Sequence, residues 1–239
     1  MRLHFCPRVG STSDRAALLR RRGELFAPAV VLTARQTAGR GRGKNTWWSN
    51  HDVLTATFVL SVEESRPPAE LPLIAGLAVR DAAAELTGQT DIELKWPNDV
   101  LFAGRKLAGL LCERIEKADL VGVGLNVNLD PSRAPKALRQ TIASLLTISG
   151  KTHNMTDVLI RVASQLRQAI LRRRRQPFSQ FILEYERHHA LVGKKVIVLG
   201  EHGSPAISGQ VEGIDQQARL VLRERDQIHR VLAGQVQLA

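Results

Sequence analysis

The chain has 239 residues, of which 44% are hydrophobic, 24% charged and only 4% aromatic. That is a globular make-up, with room for one large domain or a medium one and a small companion. No apolar run reaches the roughly 18–20 residues that cross a bilayer, and the charged start lacks the apolar stretch of a secretory signal. Cys6 and Cys112 are too few for a disulfide framework, and nothing near them has zinc-ligand spacing. Membrane-spanning, disulfide-stapled, collagenous and wholly disordered classes are excluded, and a reducing cytoplasm is the expected compartment.

Lys and Arg outnumber Asp and Glu by 34 to 23, giving +11. The excess is uneven. Residues 1–50 carry ten basic and two acidic side chains, residues 51–150 ten and thirteen, residues 160–195 nine and two. Two basic segments therefore flank a neutral-to-acidic centre. Such a field attracts phosphates, nucleic acid or an acidic protein, and a solvated basic face fits it equally well.

Ser11, Thr12 and Ser13 precede an Ala/Leu/Arg stretch that ends at Gly23, which predicts a capped helix from about Thr12 to Arg22. Ala29 to Ala34 is a short β-branched run and predicts a buried strand. From Leu54 to Val62 apolar residues alternate with Thr55, Thr57 and Ser61, the pattern of a half-buried strand. Leu71 to Leu86 reads as a helix closing at Gly88. Four strand candidates follow, Ile92 to Lys95, Val100 to Ala103, Lys106 to Ile115 and Leu120 to Val127, with a hairpin turn at Ala103-Gly104-Arg105. Thr156 to Arg172 and Phe178 to Tyr185 carry helical apolar stripes. The run Arg172 to Arg175 reads as a solvated helix end whose cations complement the dipole.

Beyond Leu191 only short β-like runs remain: Lys195 to Leu199, Ile207 to Ile214, Arg219 to Arg223 and His229 to Leu232. Turn-formers separate them, among them Gly200, Gly203 with Ser204 and Pro205, and Asp215. Strands cluster rather than alternate with helices, so the class expected is α+β, with a barrel-like β appendage.

Four segments stand out chemically. The first, Gln36 to Ser49, alternates glycines with cations: Gly39, Arg40, Gly41, Arg42, Gly43, Lys44, then Trp47 and Trp48. Glycine lets backbone N–H groups approach a ligand, and arginine forks suit phosphate and carboxylate. Ala38 and Asn45 break the Walker A pattern, and Lys44 breaks the Rossmann fingerprint. An anion-binding loop, a flexible surface loop and an RGG-like nucleic-acid contact all fit. The second, Lys95-Trp96-Pro97-Asn98-Asp99-Val100, is a hairpin turn or a strand end where Asn98 and Asp99 hold a metal or orient a nucleophile. The third, Gly104 to Glu113, carries Lys106, which either snorkels or pairs with an anion. The fourth, Gly122 to Asn128, puts two glycines in a strand, where they weaken it unless backbone or ligand must come close. His188 and His189 are adjacent and point too far apart on a helix to chelate together.

In this order the four segments, GRGRGKNTWWS, KWPNDV, GRKLAGLL and GVGLNVN, resemble the biotin–protein ligase family, with Ser11-Thr12 matching its early S-T-N segment. The resemblance covers roughly residues 5–130 and, more loosely, 191–239. It implies a class II synthetase-like catalytic domain over residues 1–190, a mixed β-sheet with packed helices, and a small SH3-like β-barrel domain over 191–239. It also implies formation of biotinyl-5′-AMP from biotin and ATP with Mg²⁺, then transfer of biotin to a lysine of a biotin carboxyl carrier protein of acetyl-CoA carboxylase.

By the same resemblance, Ser11, Thr12, Ser13, Gln36, the loop Gly39, Arg40, Gly41 and Arg42, and Gly109 line the biotin site. Lys106 bridges the biotin carboxylate and the α-phosphate, with Arg40 and Arg42 as further catalytic cations. Arg42, Trp47, Asn98 and Asn126 are nucleotide-side positions. Asp99 holds Mg²⁺ or receives the acceptor amine. Two positions depart from the family pattern: Gly43-Lys44-Asn45 replaces a further Arg-Gly-Arg, and Ser13 replaces an asparagine.

The chain starts about ten residues before Ser11, which leaves no room for the winged helix of family repressors, so no sequence-specific DNA binding is expected. Membrane attachment is not expected either. Monomers and homodimers both occur in the family. The rival readings are a lipoate or octanoate ligase or transferase of the same fold, and a basic nucleic-acid-binding module.

Overall fold

The computed structural model describes residues 1–200 and 206–239. Seven strands form the main sheet: β1 (Arg2–Cys6), β2 (Ala29–Thr33), β3 (Val53–Ser61), β4 (Ile92–Lys95), β5 (Asp99–Phe102), β6 (Arg105–Ile115) and β7 (Ala118–Asn126). Their order is β1-β2-β3-β7-β6-β5-β4. Only β1 and β2 run parallel; every other neighbouring pair is antiparallel.

The helices are α1 (Thr12–Arg21), α2 (Leu71–Thr87), α3 (Leu145–Ser149), α4 (Met155–Arg173) and α5 (Phe178–Glu186). The α1 N-terminus is set by Ser11, whose hydroxyl accepts from the Asp14 N–H, with Asp14 in the first turn and Arg20 and Arg21 in the last. Helix α2 ends at Gly88, whose φ of 74° is the left-handed cap that a side chain would resist. Apolar residues of α2 and α4 cover one face of the sheet, packing on Leu54, Ala56, Phe58, Leu110 and Val123. Helix α1 covers the other, where Ala16 and Leu19 meet Val31, Val59 and Leu120.

Strand β3 is therefore buried on both faces over most of its length, not half-buried as its alternation predicts. Thr57 bonds to Thr12 of α1 and Thr55 donates to the Thr33 carbonyl of β2, so the polar face of the pattern meets protein. Of the run Arg172 to Arg175, read as a solvated helix end, Arg173 alone departs from that reading by being buried, while Arg174 and Arg175 are exposed. Arg173 is 3% exposed and pairs with Glu70 at 3.1 Å and Asp119 at 3.8 Å, while Arg172 reaches Glu184 and Arg174 reaches Glu63.

A second sheet comprises β8 (Lys195–Leu199), β9 (Ile207–Ile214), β10 (Leu220–Glu224), β11 (Gln227–Val231) and β12 (Gln235–Leu238), antiparallel in the order β11-β10-β9-β8-β12. This is consistent with the SH3-like unit expected, although among the described residues β11 and β12 are its two edges and no closed barrel forms. The expected turn at Gly203, Ser204 and Pro205 lies outside the described residues. The two sheets are tied at the rim of the first. The Trp96 indole N–H donates to the Ala218 carbonyl at 3.1 Å, Leu94 exchanges backbone bonds with His188 and Ala190, and Glu186 accepts from the Ile214 N–H.

Candidate active site

A cleft of about 800 Å³ opens between the N-terminus of α1, the glycine-rich loop, strands β6 and β7, and the lip of the second sheet. Of the residues singled out in the sequence, Ser11, Thr12, Ser13, Gln36, Arg40, Gly41, Arg42, Trp47, Asn98, Asp99, Lys106 and Gly109 line it together. Gly39 and Asn126 do not.

Glycines make the floor. Gly109 and Gly124 are cross-strand partners on β6 and β7. A Cβ on Gly124 would run into the Trp47 indole, and one on Gly109 would press on both Trp47 and the Lys106 side chain. Gly122 leaves room for the Ser13 hydroxyl in the same way. Glycines that weaken a strand are thus the positions where a ring and an ammonium stem lie flat on the sheet. Gly39 sits beneath the loop, where a side chain would strike the Trp47 carbonyl.

One end of the cleft is a hydroxyl relay. The Gln36 side-chain carbonyl accepts from the Thr12 N–H at 2.8 Å and the Thr12 hydroxyl at 3.1 Å. Thr57 donates to Thr12 at 2.9 Å, leaving Ser13 to donate to Thr57 at 3.1 Å. Each buried hydroxyl has a partner, so the end is rigid and polar.

The other end is ionic. The Lys106 ammonium lies 2.7 Å from the Asp99 carboxylate and 5.6 Å from the centre of the Trp47 ring, and is 36% exposed. The tight turn that joins β4 to β5 brings Asp99 opposite Lys95, and the β5–β6 pairing sets it opposite Gly109, over which Lys106 reaches. The backbone of Lys106 is clamped: its N–H donates to Thr141, and its carbonyl accepts from the Ala143 N–H and the Asn126 side chain. Asn126 also donates to the Ala143 carbonyl, so its amide N–H groups serve the Lys106 strand from behind the cleft. Asn98 likewise spends its amide on the Leu110 carbonyl while facing the cleft.

Arg40 is held between two carboxylates, Asp14 and Glu113. The hydrogen bond to Glu113 raises its pKa, so the guanidinium stays charged. Lys95 stands beside Asp99 and Lys106, and burial lowers its pKa. Cys112 is no nucleophile, because burial pushes its thiol up.

Residues 5–130 match the family model described as the Biotin/lipoate A/B protein ligase family. A Biotin--[acetyl-CoA-carboxylase] ligase of Mycobacterium tuberculosis is 32% identical over 98% of this chain and 88% of its own length. The chain belongs to the biotin/lipoate A/B protein ligase family. A ligase from Paracoccus denitrificans with the same description is 30% identical over 88% of the chain and 90% of its own length. The solved biotin protein ligase from Aquifex aeolicus in complex with biotin and ATP superposes with a TM-score of 0.88. It is 28% identical and covers 100% of this chain and 98% of that one.

In this ligase-family chain several cleft residues escape a reading of the sequence. Leu199, Gly200, Gly234, Gln235 and Val236 reach the cleft from the second sheet, and short, featureless strands give no hint of it. Thr55 is disguised as part of an exposed face. Lys95 passes as a strand residue, although its place opposite Asp99 in a predicted hairpin could have marked it. The residues build no cage for a resident metal: among the described residues no three His, Cys, Asp or Glu side chains converge, and Asp99 already faces Lys106. Such a donor set suits Mg²⁺ that arrives on nucleotide phosphates and keeps its other ligands there.

Proposed function

We propose that this cleft joins biotin to ATP as biotinyl-5′-AMP and passes the biotin to a lysine of a carboxyl carrier domain of the acetyl-CoA carboxylase type. The observation that carries the reading is the division of one cleft into a neutral hydroxyl relay and a cationic end. Ser11, Thr12, Ser13 and Gln36 take the uncharged ring; Lys106, Arg42 and the loop backbone take the carboxylate and phosphates.

The first step sets an anion on an anion. A biotin carboxylate oxygen attacks the α-phosphorus of ATP, a new O–P bond forms, and the bond to the β-phosphate breaks to release pyrophosphate. Two unit charges about 4 Å apart repel by roughly 4 kcal/mol at an effective dielectric of 20. Lys106 between them offsets that, and its clamped backbone means no reorganisation as charge builds. ATP enters as its Mg²⁺ complex. The buried, unpartnered Trp47 N–H offers a donor inside the cleft.

In the second step the acceptor lysine nitrogen attacks the acyl carbon and AMP leaves. Only about one such amine in a few thousand is neutral at pH 7. Asp99, which lines the cleft beside Lys106, orients the amine and takes its proton. The cleft is built from one chain, so monomer and homodimer both serve. We read residues 1–190 as the catalytic domain and 191–239 as a second domain lending its lip to the site. The cytoplasmic placement rests on two unpaired cysteines; no described helix is long and apolar enough to span a membrane. Sequence-specific DNA binding has no part in this reading.

The test is pyrophosphate release from purified protein with biotin and ATP, with lipoate and octanoate in parallel. Release with biotin alone supports the reading, and release with lipoate or octanoate instead replaces it. Transfer from preformed adenylate that is unchanged in Asp99→Ala removes Asp99 from the second step.

A further inference from the structure

We infer that Asp14 and Glu113 are positioning residues, which grip Arg40 from two sides and so hold the glycine-rich loop closed on the activated acyl group. This rests on the function proposed above. The Arg40 Nε lies 2.8 Å from Asp14 Oδ1, and its two terminal nitrogens donate to Glu113 Oε1 at 3.1 Å and Oε2 at 2.8 Å. The guanidinium edge is thus matched by a bidentate carboxylate, the geometry in which an arginine pair is strongest.

The two carboxylates come from different walls of the cleft. Asp14 is in the first turn of α1, directly after Ser11, Thr12 and Ser13, and Glu113 is on β6, four residues beyond Gly109. Within the loop the bonds close the chain on itself: Gly41 N–H to Asn45, Asn45 N–H to Arg42, and Trp47 N–H to Gly39. Those bonds stiffen the loop without attaching it to either wall. The side chain of Arg40 spans from loop to helix and from loop to strand, and closing both contacts brings the ring-binding end and the β6 wall to the loop at once.

Arg40 therefore acts as the latch of the loop, its guanidinium held by Asp14 and Glu113. Glycine-rich segments lose the most chain freedom on closing, so a loop with three glycines stays shut only where side-chain contacts offset that loss. Partly exposed ion pairs are individually weak and screened by salt, and the latch is correspondingly sensitive to ionic strength.

The experiment forms radiolabelled biotinyl-adenylate in the site, then follows its release after dilution into excess unlabelled biotin and ATP. Glu113→Gln is expected to speed release about tenfold and Asp14→Asn a few-fold, with the amount of adenylate formed and Tm close to those of the parent chain. Raising NaCl from about 0.05 to about 0.5 M speeds release from the parent chain and leaves the double variant unchanged. Equal release rates in the parent and Glu113→Gln overturn the latch while leaving the function intact. So does the same acceleration in Val158→Ala, which loosens the α4 core far from the loop. Failure of the parent chain to form any adenylate overturns the functional reading, and the latch with it.

Discussion

In the function proposed, Lys106 carries the heaviest duty of any single side chain. It would stand at a charge developing between two anions, and its backbone is tied at both ends. Lys106→Ala is expected to cut pyrophosphate release by about 10²–10³-fold, the usual loss when one preorganised charge is withdrawn from a transition state. Because the pair with Asp99 is partly exposed, Tm should barely move. Gly124 gives the opposite pattern. In Gly124→Ala the added methyl meets the Trp47 ring, so stability should fall by about 1–3 kcal/mol and the tryptophan emission should shift. An unaltered spectrum would mean that the ring does not rest there. The sequence marks Gly122 and Gly124 as odd for a strand but cannot name their partner, since Trp47 lies far away along the chain. Asn126 was legible as a polar residue on that strand; that its amide would serve the Lys106 carbonyl depended on a register that no local pattern encodes.

Among elements, the segment joining α5 to β8 holds a titration. His189 is 8% exposed, lies edge-on to Tyr185, and neither ring nitrogen has a hydrogen-bond partner. Burial lowers its pKa from an ordinary 6.5 to about 4. The unfolded chain thus binds a proton that the folded chain refuses between those values, so stability is full above about pH 6.5 and falls as the pH drops toward 4. The loss should approach about 3 kcal/mol, counting about 1.4 kcal/mol per unit. Urea midpoints from pH 7 to 4 measure it, and His189→Phe should flatten that part of the curve. Helices α4 and α5, which carry apolar stripes, and α2, which closes at Gly88, were readable almost to the residue. Strand β1 was not, because Leu3 and Phe5 of this edge strand are exposed and the apolar pattern does not mark a buried face. Helix α3 spans five residues, too few for a stripe; its signature was the cap, Ser144 bonded with Thr147, and the closing Gly150.

For the molecule as a whole, the charge excess visible in the sequence misleads about where the charge goes. Arg173 is spent on Glu70 and Asp119, which join α4, the sheet and the segment before α2. Arg173→Ala should cost about 3–5 kcal/mol in urea denaturation, since it leaves buried carboxylates short of a partner. A cost under about 1 kcal/mol would show the cluster to be solvated. The fold class and the four chemical segments were legible because short motifs carry them. How the second sheet meets the first was not, since that contact rests on single residues such as Trp96 and Glu186 and on no pattern.

Trp96 sits in the middle of the KWPND segment, yet its indole is 1% exposed and its N–H is spent on Ala218. Shortening the chain to about residue 190 would take Ala218 away. The cut would strip the cover from that ring, two and three residues before Asn98 and Asp99, so trimming the tail would disturb the turn that carries both.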